Sequence, residues 1–312
     1  MTSVPASGAS VEMPSGKDAD YENFPVGSFL IPKELRPQVA CFYAFARAID
    51  DIADSPDLSP AEKIHRLQGF DQALIDPEFA EPGYIKGIAM RLSLEEAGIP
   101  VRHCRDLIVA FIQDSEQSRY ADWADLRAYC RLSASPVGRF LVDLHGGVKN
   151  TQGDDRDYHS SDALCDALQV INHLQDCADD YRTLDRVYLP QDWMTAEGMV
   201  VSDLDRGRST AATRRVLDRC VAGTRDLLEV ARSLPDDVIH PRLALESAVI
   251  LEIADRLTDM LARRDPLAER VKLSKLAYGT VFVRVLLRRG RTRLQERLLP
   301  SAINTDIRTP AP

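Results

Sequence analysis

Gln169-Val-Ile-Asn172-His-Leu-Gln175-Asp176-Cys-Ala-Asp179-Asp180-Tyr-Arg182-Thr-Leu-Asp185-Arg186-Val-Tyr-Leu-Pro190 is the stretch from which the rest of this chain is best read. It has no glycine, and no proline before Pro190, so most of it reads as helix. At about 100° per residue, with Asn172 at zero, Gln169 falls at about 60°, Asp176 at about 40°, Asp180 at about 80° and Asp179 at about −20°. Five polar groups therefore share one face, beside the apolar Val170, Ile171 and Leu174. Carboxylates one turn apart repel each other, so this face calls for a cation or for bulk water.

A second helix repeats the pattern: Tyr43-Ala-Phe-Ala-Arg47-Ala-Ile-Asp50-Asp51-Ile-Ala-Asp54. Asp50 and Asp54 lie about 40° apart around the axis and about 6 Å apart along it, with Arg47 and Tyr43 on the same side. One acidic pair on a helix is ordinarily a solvated face. Two such pairs, each set in apolar sequence, point instead to a shared cluster of hard cations. Carboxylates without fixed nitrogen or sulfur ligands suit Mg²⁺, which retains waters and bridges carboxylates to substrate phosphates. The six histidines show no H-x-x-x-H spacing, which disfavours zinc and di-iron chemistry. No G-x-x-x-x-G-K-[ST] or G-x-G-x-x-G run supports a nucleotide or nicotinamide fold. The residues alone point to a cavity whose opposite walls present aspartates, through Mg²⁺, to a diphosphate carrying an apolar body.

The chain has 312 residues, is 45% hydrophobic and carries a net charge of −9, ample for a large core and unsuited to generic nucleic-acid binding. Six scattered cysteines read as small buried residues of a reducing cytosol. No signal peptide or membrane-spanning run is visible, so the expected location is cytoplasmic. Residues 1–20 read as a disordered tail, 21–299 as one domain and 300–312 as a flexible tail. Helices are expected at about 37–54, 59–75, 83–97, 100–117, 122–134, 137–145, 161–184, 208–233, 241–263 and 266–298, with stops at Gly98-Ile99-Pro100 and Gly146-Gly147. No long period-two segment occurs. The expected fold class is all-α, a single domain with helices around a central cavity.

The two aspartate motifs, in this order, resemble those of the squalene/phytoene synthase family, the head-to-head class I prenyltransferases. Arg47 precedes the first motif as in that family, and Tyr43 lies one turn earlier. Tyr129-Cys130 followed by Ala134-Ser135-Pro136-Val137-Gly138 resembles the helix carrying the family's Tyr-Cys motif, and Arg270-Val271 resembles its C-terminal diphosphate-contacting arginine. The likeness covers about residues 21–290 and implies the class I isoprenoid synthase fold. Glu22-Asn23-Phe24-Pro25-Val26, Asn172-His173-Leu174-Gln175-Asp176-Cys177 and the run from Asp180 to Pro190 look like the hopanoid-pathway branch. Two departures from the condensing relatives stand out. Gln175 occupies the place of an arginine, and Tyr21-Glu22-Asn23-Phe24 replaces Ser-x-Ser-Phe. Both remove groups associated with diphosphate, which favours an enzyme that takes one diphosphate substrate.

The resemblance implies that two or three Mg²⁺ ions are held by Asp50, Asp54, Asp176 and Asp180, with Asp51 and Asn172 as further ligands. Arg47 and Arg270 would meet phosphate oxygens. The implied substrate is presqualene diphosphate, converted with water to hydroxysqualene, with no NAD(P)H. The alternatives are condensation of two farnesyl diphosphates and a non-catalytic helical assembly protein on the same scaffold. Phe24, Tyr43, Phe111, Tyr129, Val137 and Phe140 are candidate lining residues, Gln169 a candidate substrate contact, and Tyr43 or Tyr129 a candidate to orient the capturing water. Asp114 is a weaker site candidate, and Arg182 and Arg186 are expected either to pair with the motif aspartates or to lie at the surface. The C-terminal helix mixes Arg284, Arg288, Arg289, Arg291, Arg293 and Arg297 with Val281, Phe282, Val285, Leu286, Leu287 and Leu294. It reads either as a solvated face or as a peripheral contact with the inner membrane surface.

Overall fold

The computed structural model describes residues 30–149 and 157–298. The two tails, Phe24 and most of the polar loop after Lys149 lie outside them. Among the described residues the chain forms twelve α-helices and no strand, apart from two isolated bridges, Arg119 with Val187 and Val148 with Val238. The helices are α1 (Arg36–Asp54), α2 (Pro60–Ile75), α3 (Ile85–Ala97), α4 (Arg102–Glu116), α5 (Trp123–Ser133), α6 (Ser135–Leu144), α7 (His159–Leu184), α8 (Gln191–Glu197), α9 (Ala211–Ala231), α10 (Leu234–Asp237), α11 (Pro241–Leu261) and α12 (Lys275–Leu298).

Local sequence sets several boundaries. Ser59 accepts from the Glu62 amide at 3.3 Å and Pro60 opens α2, an N-cap followed by a proline already shaped for the first turn. Asp122 and Thr210 cap α5 and α9 in the same way, through the amides of Asp125 and Thr213. Gly98 closes α3 at φ 65°, a left-handed conformation that costs glycine nothing.

Two apolar clusters build the body. One joins α1, α2, α3 and α4 around Phe45, Ile49, Leu67, Phe70 and Met90, with Phe140 of α6. The other surrounds α7 with residues from α5, α9, α11 and the inner side of α12. Side-chain ties fix the direction of the helices. Ser160, at the start of α7, donates to Asp237 of α10 at 2.7 Å. Ser209, just before α9, donates to Asp265, just after α11, at 2.6 Å. Thus α7 and α11 run the same way and α9 runs back between their ends. Arg289 donates to the carbonyl of Ala244, so α12 returns antiparallel to α11.

The helix expected from residue 266 begins at Lys275. The intervening segment is spent on tertiary contacts, including the Asp265 carboxylate that caps Ser209 and Leu267. Phe140, a candidate for the cavity wall, is instead core, stacked on Phe42 with ring centroids 4.1 Å apart. All six cysteines are free thiols, four of them buried. No helix among the described residues is long and apolar enough to cross a membrane.

Candidate active site

A cavity of 390 Å³ lies between the two clusters, walled by α1, α4, α5, α6, α7, α10 and α11. Its lining is mostly apolar, including Phe42, Phe111, Leu141, Leu164 and Ile250. Six of the residues named from sequence line it: Tyr43, Arg47 and Asp50 from α1, Phe111 from α4, Val137 from α6 and Gln169 from α7. Gly138 lines it too, and for a steric reason. A Cβ there would sit 2.5 Å from Cys165 Sγ and 2.6 Å from Ser161 Oγ, so only glycine lets α6 lie this close to α7.

The two motifs rise toward one end of this cavity. On α1, Arg47 Nη1 donates to Asp50 Oδ2 at 2.9 Å and the guanidinium lies 6.0 Å from the Tyr43 ring centroid. One turn on, Asp54 Oδ1 accepts from Arg186 Nη1 at 2.7 Å, while Arg186 Nη2 reaches the carbonyl of Ala53 at 3.1 Å. Arg186 follows the end of α7, so this ion pair ties the tail of the second motif to the end of the first. On α7, Asp180 is pushed up to about 7, chiefly by burial and then by the neighbouring carboxylates of Asp176 and Asp54. The two motifs therefore share one electrostatic environment, short of positive charge even with Arg186 present. Asp51 points into the protein and is buried; Asp179 is exposed.

Behind this end lies a buried polar and aromatic group that the sequence showed only in fragments. Tyr129 donates to Asp114 Oδ2 at 2.8 Å, and Tyr188 approaches the other oxygen at 3.4 Å. The His173 ring stacks on Tyr188 with centroids 3.6 Å apart, and the Tyr120 ring stacks with Tyr188 at 5.5 Å. Burial pushes Asp114 up to about 6, with Arg186 pulling the other way. Burial, with Arg186 nearby, lowers His173 to about 3 and keeps its ring neutral. Tyr129 is thus placed behind the cavity wall, its hydroxyl committed to a carboxylate. Lys63 of α2 donates to the carbonyl of Ala53 at 2.8 Å. No pattern marked it in the sequence, because α2 meets the end of α1 only through the turn of the chain.

Arg182 lies at the surface, 2.6 Å from Asp205. Arg270 is exposed on the segment after α11, where Gln175 of α7 donates to the carbonyl of Val271. Glu246 and Ser247 of α11 also line the cavity and are buried, although nothing in the sequence reading singles them out. Their signal was a polar pair inside Leu243-Ala-Leu-Glu246-Ser247-Ala-Val-Ile250.

Among the described residues, no three Asp, Glu, His or Cys side chains already converge as a metal-holding group. The donor set nevertheless fits a hard dication in its chemistry: oxygen-only groups on facing helices, with Asp180 raised by burial and then by its acidic neighbours.

A model of the squalene/phytoene synthase family matches residues 18–277. The chain is 42% identical over 267 residues to the hydroxysqualene synthase of Rhodopseudomonas palustris, covering 86% of this chain and 88% of that protein. It is 40% identical over 272 residues to the hydroxysqualene synthase of Zymomonas mobilis, covering 86% and 89%. In structure it resembles squalene synthase HpnC from Alicyclobacillus acidocaldarius, with a TM-score of 0.66 and 30% identity over 78% of this chain and 89% of that one.

Proposed function

The chain belongs to the squalene/phytoene synthase family and is an enzyme of that family, and from that premise we propose that it converts presqualene diphosphate and water to hydroxysqualene and diphosphate. The observation that carries this reading is the state of Gln175. The side chain is 6% exposed and spends its amide on the Val271 carbonyl. The position therefore offers no cation to a second diphosphate, as an arginine there would. The named activity of the two relatives at 40–42% identity supports the same choice.

In this reading Asp50, Asp54, Asp176, Asp180 and Asn172 hold Mg²⁺, with Asp51 behind them. When bound, Mg²⁺ supplies Lewis-acid stabilisation of the charge gathering on the departing diphosphate. Arg47 adds a charge-assisted hydrogen bond at the cavity mouth, and Arg270 another from the segment that Gln175 anchors. The carbon–oxygen bond breaks with its electron pair leaving on diphosphate. A water oxygen then bonds to the rearranged allylic cation and gives up a proton. The apolar walls, among them Phe42, Phe111, Val137 and Leu164, take the two prenyl chains and keep other water away from the cation. In the same reading Tyr43 and Gln169, which line the cavity together with Asp50, orient the capturing water.

The test is product analysis with purified full chain, given presqualene diphosphate or farnesyl diphosphate, with and without Mg²⁺ and NADPH. Expected is Mg²⁺-dependent, NADPH-independent alcohol formation from presqualene diphosphate, with ¹⁸O entering from labelled water. Turnover of farnesyl diphosphate alone would overturn the single-substrate reading.

A further inference from the structure

Helix α12 has two apolar faces, and among the described residues one is packed and the other is exposed. Val281 and Val285 are buried, with Tyr278 and Phe282 packed beside them on the second cluster. On the opposite side Leu276, Val283, Leu286 and Leu287 are 84%, 55%, 42% and 60% exposed. With Leu276 at zero, Val283 falls at about −20°, Leu287 at about 20° and Leu286 at about −80°. They form a stripe about 16 Å long, continued at about −60° by Gly279. Arg284 and Arg288 edge it at about 80° and about 120°. Arg284 is 69% exposed, and its nearest carboxylate, Glu252, stands 3.6 Å away.

We propose that this face of α12 docks on an anionic lipid surface. The chain as a whole is acidic, at −9, yet the α12 sequence holds seven Lys or Arg residues and one acid, Glu296. A partner for the stripe must accept apolar side chains and meet the cations of Arg284 and Arg288 along its edge. A bilayer with anionic headgroups offers both: acyl chains take the leucines and valines, while the arginines lie outward with their charges among phosphates. The stripe is too short to span a bilayer, so the contact is parallel to the surface.

Co-sedimentation of the full chain with phosphatidylcholine vesicles, with and without about 30 mol% phosphatidylglycerol, tests this, since anionic headgroups attract basic segments. Expected is binding that needs phosphatidylglycerol and weakens in high salt. Val283→Asp/Leu287→Asp and Arg284→Glu/Arg288→Glu should each weaken it at least about tenfold, since either the apolar or the electrostatic half is lost. Circular dichroism and melting should match the parent, because all four side chains are exposed. Absence of binding to anionic vesicles would overturn the proposal, as would binding that survives both double variants. So would a parent dimer that Val283→Asp/Leu287→Asp converts to monomer without changing vesicle binding, which would assign the face to a second copy of the chain.

Discussion

Gln175, next to Asp176 on α7 but turned off its acidic face, donates its side-chain amide to the backbone carbonyl of Val271, 96 residues further on. The bond joins the second aspartate motif to the segment that carries Arg270, and both partners are buried. Removing the amide in Gln175→Ala leaves a buried carbonyl unpaired, at about 1–3 kcal/mol. The prediction is a melting midpoint lower by roughly 3–8 °C and a raised KM for presqualene diphosphate with a smaller change in kcat. If neither the midpoint nor KM moves, Gln175 does not position that segment.

The motif aspartates carry opposite expectations for activity and for stability. Asp54→Asn and Asp176→Asn should each lower Mg²⁺-dependent diphosphate release by at least about a hundredfold, because each removes an anionic oxygen donor. Asp180→Asn should abolish release as well. It should also stabilise the metal-free protein, by at least about 1 kcal/mol, because it relieves a buried carboxylate crowded by Asp176 and Asp54. Urea unfolding in the presence of chelator, beside the activity assay, reads both. An Asp180→Asn protein that is active, or less stable than the parent without metal, contradicts the assignment.

Arg186 is buried and divides its guanidinium between Asp54 and the Ala53 carbonyl. Arg186→Ala takes the guanidinium from Asp54 and leaves Lys63 as the cation at the end of α1; removal of one partner from this partly buried pair should cost up to about 3 kcal/mol. Arg186→Lys should recover little, since one ammonium cannot reproduce the planar fork. A lysine variant with parental melting and activity would show that charge alone suffices.

Asp114 gives a pH dependence whose sign follows from its burial. Its carboxyl titrates at about 6 in the folded protein and at about 3.9 when unfolded. Between those values the folded state holds a proton that the unfolded chain has lost. Stability should therefore fall as pH rises from about 4 to about 6, by no more than about 3 kcal/mol from this group. Asp114→Asn keeps an oxygen for the Tyr129 hydroxyl and should remove that part of the slope. Identical parent and variant slopes in chemical unfolding at pH 4, 5, 6 and 7 would refute it.

Gly138→Ala brings a methyl group to 2.5 Å from Cys165 Sγ. Overpacking of this kind costs about 1–3 kcal/mol and should narrow the cavity between α6 and α7, lowering kcat/KM. Cys165→Ala in the same chain should restore part of both losses. No recovery would place the strain at Ser161 instead.

The helices were legible because each carries its own start, stop and apolar period. Gly98-Ile99-Pro100, Gly146-Gly147 and the uninterrupted run before Pro190 act as local signals, and most ends fall within a few residues of the structure. Where tertiary contact overrode local preference the reading slipped: the start of α12 moved from 266 to Lys275, and the short helices α8 and α10 had gone unmarked. The site divides in the same way. Asp50, Asp54, Asn172, Asp176 and Asp180 stood out because helical spacing aligns them on two faces. Lys63, Glu246 and the full partnership of Asp114 with Tyr129 and Tyr188 did not, because their meaning lies in contacts between helices distant in sequence.

By itself the sequence determined an all-α chain with two acidic helix faces and a family likeness, since periodicity, capping and motif spacing act over a few turns. Only the tertiary structure decided which charges meet: Arg186 with Asp54, Tyr129 with Asp114, Gln175 with Val271. Those pairings depend on how α1, α4, α5 and α7 pack, and electrostatic and hydrogen-bond energies depend on distance and burial that no linear spacing encodes.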